Sequence, residues 1–407
     1  MVSQPPSPDP MSEIQQTLTG DRNQAIGQVY GGIVVYVSGG QAIINPSATE
    51  SSSPADSPEA AIGANPYKGL LSFREADSAD FFGRSQEIQD LWEQFRKLQT
   101  AAIRLLPIYG PSGSGKSSLA RAGLIPELGR HPLPGRDKAR VAVLVPGTQP
   151  LQALATVLAR IATNDLIPVQ KTREFAAELG IVTKAGEYDG LQRIASALPE
   201  IGTIPLIVLV DQFEEVYSLC KDAQERDAFI ANLLYAAAER SAYVSVILTM
   251  RSDLLGETQK HPSLNRLFSS QGFLVPMMDE DNLREAIAQP AKQAGYPLEG
   301  AIVTLLIEQT EGREGALPLL QFALTRIWEG LKQGVAPAVT LEQIDGVGGA
   351  LAGEAHRIYD RLNPTDQSIA RRVFLGLVQL GEGARDTRRR TEIKDLVSQQ
   401  VSLAQVQ

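Results

Sequence analysis

Gly110-Pro111-Ser112-Gly113-Ser114-Gly115-Lys116-Ser117 is a stretch whose residue types and spacing suit a phosphate chain. It fits G-x-x-x-x-G-K-[ST], in which glycines let the backbone turn successive N–H groups inward around an anion. Lys116 reaches the β- and γ-phosphates and the Ser117 hydroxyl ligates Mg2+. Ser118 follows on the opening turn of the next helix and is read with the loop as a nucleotide-binding residue. Such a cradle needs a metal carboxylate on a neighbouring strand. Leu206–Val210 is an apolar run leading into Asp211, and in open α/β sheets ligands bind at the carboxyl ends of strands. Asp211 is therefore read as the Mg2+ carboxylate, direct or through water. Glu214 and Glu215 follow within one turn. One of them, Glu214 by preference, orients the attacking water; as plain acids both also favour the N-terminus of the following helix. Another apolar run ends in Thr249-Met250-Arg251. There Thr249 or Arg251 is placed to sense the γ-phosphate, the plainer reading of Arg251 being a surface residue at a strand end.

The elements that must hold these residues alternate. Apolar runs at 103–109, 139–147, 205–212, 243–251 and 272–278 read as strands. Helix-like text separates them, including 116–128 and the helically spaced apolar residues of 150–162. Strands alternating with helices imply a parallel sheet covered on both faces. The runs are continuously apolar, as strands buried on two sides are. After Asp279 the strand signal stops, and residues 279–407 read as helices broken by Gly-rich turns. The expected class is α/β, a phosphate-loop sheet followed by a helical region, with no internal repeat of solenoid length.

The chain has 407 residues, enough for two to four domains. Residues 1–19 are polar and proline-rich and are expected to be disordered; 46–64 read as a Ser/Pro/Ala linker with too little apolar area to fold. Between them, 20–45 is glycine-rich, β-branched and nearly uncharged. Apolar runs such as 204–210 are too short to span a bilayer. The N-terminus lacks the basic-then-apolar pattern of a secretory signal. Cys220 is the single cysteine, which rules out an intrachain disulfide and fits a cytoplasmic location. The formal net charge of −9 argues against nucleic-acid binding by the whole surface.

Five motifs then occur in one order: Asn65-Pro66-Tyr67-Lys68-Gly69-Leu70, Phe81-Phe82-Gly83-Arg84, the phosphate loop, Asp211-Gln212-Phe213-Glu214-Glu215 and Thr249-Met250-Arg251. This set resembles the bacterial novel STAND NTPases, signalling ATPases related to the NOD-like receptors. The resemblance implies a P-loop NTPase domain over 65–278 with an AAA+-type sheet of order 5-1-4-3-2. A helical domain (279–338) and a winged helix (339–407) would follow. It implies that 65–83 packs against adenine and ribose. Gly315-Ala316-Leu317-Pro318 stands for the family's Gly-x-Pro element with one extra residue, placing Pro318 against the nucleotide. Read on residues alone, Pro318 suits the start of a helix. The Arg-rich stretch 385–390 reads as a solvated charged loop. Members usually continue into a repeat array that detects a trigger. A chain reaching Gln407 leaves three expectations open: no sensor, a sensor on a partner, or a truncated product.

The family's role is a switch. ADP holds a closed state under the winged helix, ATP with Mg2+ permits homo-oligomers, and slow hydrolysis resets the timer, in defence or cell-death signalling. The alternatives are a P-loop small-molecule kinase, with 163–200 as its lid, and an AAA+ nucleic-acid loader. At the N-terminus, residues 22–32 resemble the amyloid signalling motifs of some STAND receptors, of the fungal heterokaryon-incompatibility type. Ile33-Val34-Val35-Tyr36-Val37 is a β-prone, uncharged, proline-free run, the composition that stacks into cross-β. That resemblance implies an effector protein carrying a matching motif, while the plainer expectation is a β-hairpin docked on the NTPase or an inert tail.

Overall fold

The computed structural model describes residues 33–38, 41–44, 62–133, 136, 138–238, 243–313, 315–379, 387–388 and 391. The expected disordered segment 1–19, the motif at 22–32 and residues 46–61 of the linker lie outside them. The chain falls into two compact units: Met1–Ala48, Trp92–Ile108 and Ile125–Phe273 form the first, and Thr49–Leu91, Tyr109–Leu124 and Leu274–Gln407 the second.

The first unit is organised by a sheet. Its strands are β1 (Ile33–Ser38), β2 (Gln41–Ile44), β3 (Leu105–Gly110), β4 (Lys138–Leu144), β5 (Leu206–Val210), β6 (Val244–Arg251) and β7 (Phe273–Leu274). They lie in the order β2-β1-β4-β5-β6-β3-β7. Numbered from the phosphate-loop strand, β3 to β7 read 5-1-4-3-2 from one edge, the AAA+ order. β4, β5 and β6 are parallel, with Val141 opposite Ile207 and Val208 opposite Val246. All five β5 side chains are fully buried, as a run apolar on both faces requires. Each contributes up to about 1.5–3 kcal/mol of burial. The helices Pro150–Thr163 and Ala223–Ala237 cover β4 and β6. β1 and β2 form an antiparallel pair, and β1 adds antiparallel to β4 with Val35 opposite Val141.

Two strands stop earlier than the apolar runs predict. β7 covers only Phe273–Leu274, with Val275 still donating its N–H to the Tyr109 carbonyl (2.8 Å) just ahead of Pro276. β4 ends at Leu144 ahead of Pro146 and of Gly147, whose φ is 61°. The stretch 163–200, which a kinase would need as a lid, forms the helices Val169–Leu179 and Gly190–Ser196. Buried Asn232 pins both: its Nδ2 donates to the Leu179 carbonyl (2.8 Å) and its Oδ1 accepts the Leu191 N–H (2.8 Å). Cys220 is buried, its thiol donating to the Asp222 carbonyl (3.3 Å).

The second unit holds the phosphate loop and the helical region. Its core gathers Ile287, Leu306, Leu324 and Trp328 from the helices Glu280–Gln293, Gly300–Glu308 and Ala316–Lys332. The first of these starts at Asp279, whose carboxylate caps the Asn282 N–H (2.8 Å). Tyr67 is inserted into that core. Its ring meets Trp328 edge-on at 6.0 Å and its hydroxyl donates to the Ile287 carbonyl (2.6 Å). Further on come the helices Pro337–Gln343, Gly346–Arg361 and Pro364–Gly376, then β8 (Val378–Gln379) paired antiparallel with β9 (Thr387–Arg388). Thr387 and Arg388 are thus strand, which corrects the reading of 385–390 as loop throughout. Among the described residues no helix is long and apolar enough to cross a membrane.

Candidate nucleotide-binding site

The phosphate loop leaves β3 at Gly110 and turns on two glycines in left-handed backbone, Gly113 (φ 78°) and Gly115 (φ 88°). At Gly115 an added Cβ would meet open space, so the conformation alone demands glycine there. At Gly113 it would lie 3.1 Å from the Pro318 ring and 3.2 Å from the Gly315 Cα. The structure therefore brings the sequence's Gly315 and Pro318 against the loop. Lys116 is buried and its Nζ donates to the Pro111 carbonyl (2.7 Å). The Ser114 hydroxyl is buried with no hydrogen-bond partner among the described residues. A phosphate chain supplies the anionic acceptors that these donors fit, and its Mg2+ would find the Ser117 hydroxyl on the same wall.

The helix after the loop runs through Lys116–Ser118, widens to a π-type stretch at Leu119–Leu124 and resumes at Ile125–Arg130. The wide stretch carries Arg121, whose guanidinium grips both oxygens of Glu75 (2.9 and 3.1 Å), with both residues buried. A cavity of about 210 Å3 opens over Gly113–Ser118. Its other walls come from Gly69–Phe73, Phe81, Phe82, Arg84, Met278 and the Leu317-Pro318 turn. The segment assigned by resemblance to adenine and ribose thus shares one cavity with the loop. Of the remaining loop residues, Pro111 and Ser112 face a smaller space of about 50 Å3 beside Gly315, and Gly110 lines neither. Ser118 has its hydroxyl committed to the Phe73 N–H (3.1 Å), so it braces the wall.

Arg84 belongs to a quoted motif but has no role assigned from the sequence, and no local pattern marks Glu87, Glu75 or Arg121. Arg84 donates to Glu87 Oε1 (2.5 Å) and to the Ser114 carbonyl (3.3 Å), tying the loop to the helix Ser85–Leu98. Gly83 before it has φ 77°, and a Cβ there would strike the Asn282 carbonyl at 2.2 Å. Burial raises the pKa of Asp80, on the cavity wall, with Lys68 opposing and Asp77 adding to the shift.

The carboxylates belong to the first unit, at the ends of β5 and β6. Asp211 is buried, and its N–H donates to the Leu144 carbonyl (2.8 Å). The Thr249 hydroxyl donates to Asp211 Oδ1 (2.6 Å) and accepts the Gln212 N–H (2.9 Å). Glu214 Oε2 accepts the Arg251 N–H (3.3 Å), and Glu215 Oε2 accepts the Gly147 N–H (3.1 Å). The Arg251 guanidinium lies on Asp253, at 3.0 and 2.6 Å. Those hydrogen bonds raise its pKa. Of the two sensor candidates, Thr249 faces Asp211 and Arg251 faces Asp253.

The family profile of novel STAND NTPase 1 matches residues 66–407. No curated protein matches the sequence. Among solved structures, the Walker-type ATPase PABY2304 of Pyrococcus abyssi is similar at 16% identity and a TM-score of 0.44, over 76% of this chain and 83% of that one. ORC2 of Aeropyrum pernix, in its ADPNP–ADP complexes, gives 16%, 0.48, 74% and 77%. Drosophila ORC bound to DNA gives 13%, 0.44, 81% and 76%. Likenesses this distant carry no inference about what this chain binds.

Proposed function

This chain belongs to the novel STAND NTPase 1 family and is a P-loop NTPase of the STAND/AAA+ type, and we propose that it works as an ATP/ADP-dependent signalling switch. The observation that carries this reading is the shared cavity: the phosphate loop, the segment 69–73 and the Pro318 turn all line one space. A nucleotide seated there touches the helical region as well as the loop, so the identity of the phosphates is felt beyond the loop. The residues then divide the work. Backbone N–H groups of Gly113–Lys116 and the Lys116 ammonium hold the phosphates, and the Ser117 hydroxyl and Asp211 serve Mg2+. Glu214, or Glu215, orients the attacking water, and Arg251 leaves Asp253 to respond to the γ-phosphate. Mg2+ bound with the nucleotide supplies neutralisation of phosphate charge. Hydrolysis is slow and acts as a timer, the ATP state is a homo-oligomer, and residues 339–407 form the winged helix that closes over ADP.

The N-terminal segment 20–45 is the output in this reading. Clustering by the NTPase raises its effective concentration, and its β-prone run nucleates a cross-β stack that templates an effector. What supports this is composition, the uncharged, proline-free, β-branched run Ile33–Val37; in the monomer Ile33–Ser38 pairs with Gln41–Ile44 and with β4, the docked hairpin of the plainer expectation, which a stack would have to replace. A peptide of residues 18–46 is expected to form thioflavin-positive fibres with cross-β diffraction, and Gly31→Pro to abolish them; a peptide that stays monomeric removes the output assignment.

The switch itself is tested on the purified chain. Nucleotide released by denaturation should be mainly ADP, and exchange to ATP with Mg2+ should raise the light-scattering mass to a multiple of the monomer. An unchanged mass in both states, or rapid phosphorylation of a small-molecule acceptor, overturns it.

A further inference from the structure

We infer that Thr249 is a positioning residue that fixes the Asp211 carboxylate, and that it does not read the γ-phosphate. The inference rests on the reading of Asp211 as the Mg2+ carboxylate. Thr249 is buried near the end of β6 and engages three consecutive residues after β5. Its hydroxyl proton goes to Asp211 Oδ1 (2.6 Å), its hydroxyl oxygen takes the Gln212 N–H (2.9 Å), and its carbonyl takes the Phe213 N–H (2.8 Å). Gln212 sits at φ 55°, a left-handed conformation that costs a non-glycine residue about 1–2 kcal/mol. The turn is therefore held against its own preference, and Thr249 supplies the hold.

The donor count decides between positioning and sensing. A threonine hydroxyl has one proton, and here Asp211 has it. Phosphate oxygens at neutral pH accept hydrogen bonds, so Thr249 would have to release Asp211 to reach one. A carboxylate with one oxygen fixed by a short hydroxyl bond presents a set orientation to a hard cation, which demands near-ideal octahedral geometry. Partners of this kind, one bond removed from the metal, set its affinity by about 10- to 100-fold.

The test titrates Mg2+ into the full chain with a fluorescent mant-ATP. Thr249→Val, which keeps the shape and loses the hydroxyl, should raise the half-saturating Mg2+ about 10-fold or more. Thr249→Ser should restore it, and binding of mant-ATP in EDTA should match the wild type. Thr249→Cys, with a weak S–H donor, serves as the second variant should Thr249→Val fold poorly, and should also raise the midpoint. An unchanged midpoint in both variants, with Asp211→Asn raised, overturns the positioning role alone. A loss of mant-ATP over mant-ADP preference in EDTA overturns it in favour of sensing. An unchanged midpoint in Asp211→Asn overturns the metal-carboxylate reading, and the inference with it.

Discussion

The loop at Gly110–Ser118 and the cluster around Asp211 both gather hydrogen-bonding groups, but they present them through different parts of the chain. The loop is shaped by backbone: two left-handed glycines, one lysine and a serine hydroxyl with no partner among the described residues. The Asp211 cluster is made of side chains already engaged with neighbours, from Thr249 to the Gly147 and Arg251 amides. A backbone cradle is limited by sterics and tolerates little bulk. A side-chain cluster is limited by partners and fails when one donor is lost. The first leaves donors available to a ligand; the second arrives pre-assembled.

This contrast can be broken at its support. Arg121→Ala leaves the Glu75 carboxylate buried without its bidentate partner, and should destabilise the second unit by about 3–5 kcal/mol; denaturant unfolding measures it. A loss below about 1 kcal/mol would show that the loop does not lean on this pair. Lys116→Ala removes the cradle's charged donor and should weaken ATP binding by about 2–3 kcal/mol with the fold intact, read by calorimetry and circular dichroism. Unchanged affinity would deny the loop its phosphate.

The steric claim is sharpened by two alanines. Both Gly113→Ala and Gly115→Ala incur left-handed strain of about 1–2 kcal/mol, but only Gly113→Ala also presses on Pro318. Gly113→Ala should therefore melt lower than Gly115→Ala; equal melting temperatures would mean the Pro318 turn yields freely. The smallest effect is expected at Glu215→Gln, which weakens the bond to the Gly147 N–H and should cost about 1 kcal/mol or less. Turnover separates the two glutamates: Glu214→Gln should slow ATP hydrolysis with binding kept, and the reverse assignment follows if only Glu215→Gln does.

How far each region could be read beforehand follows from the same contrast. Glycines, a lysine and a serine at fixed spacing are a local pattern, so the loop was legible, as were β4, β5 and β6 from their unbroken apolar runs. The place of Asp211 at the end of β5 was legible from the apolar run before it. The Arg121–Glu75 pair was not, because its partners are separated by 46 residues and nothing in either neighbourhood marks a buried charge. Thr249 and Arg251 stand as alternative γ-phosphate sensors in the sequence because their strand-end positions are visible there, whereas the direction of the Thr249 hydroxyl, toward Asp211, is a tertiary fact. The apolar run 272–278 is longer than β7 because apolar composition continues through Val275, Met277 and Met278 after regular pairing stops at Leu274. The left-handed Gln212 carries no local signal either, since glycine or asparagine is the usual mark of that conformation.

Cys220 gives the first unit a reporter. The thiol lies two residues beyond the short helix Glu215–Ser218, and burial raises its pKa, followed by the charge of Glu225. An exposed thiolate attacks electrophilic thiol reagents, so the folded chain should react slowly and the transiently opened one fast. Because the sequence holds no other cysteine, the whole labelling signal comes from this position. The ratio of the observed rate to that of an unfolded chain then measures the free energy of opening beside Asp211–Glu215, in native buffer, and separately for each bound nucleotide.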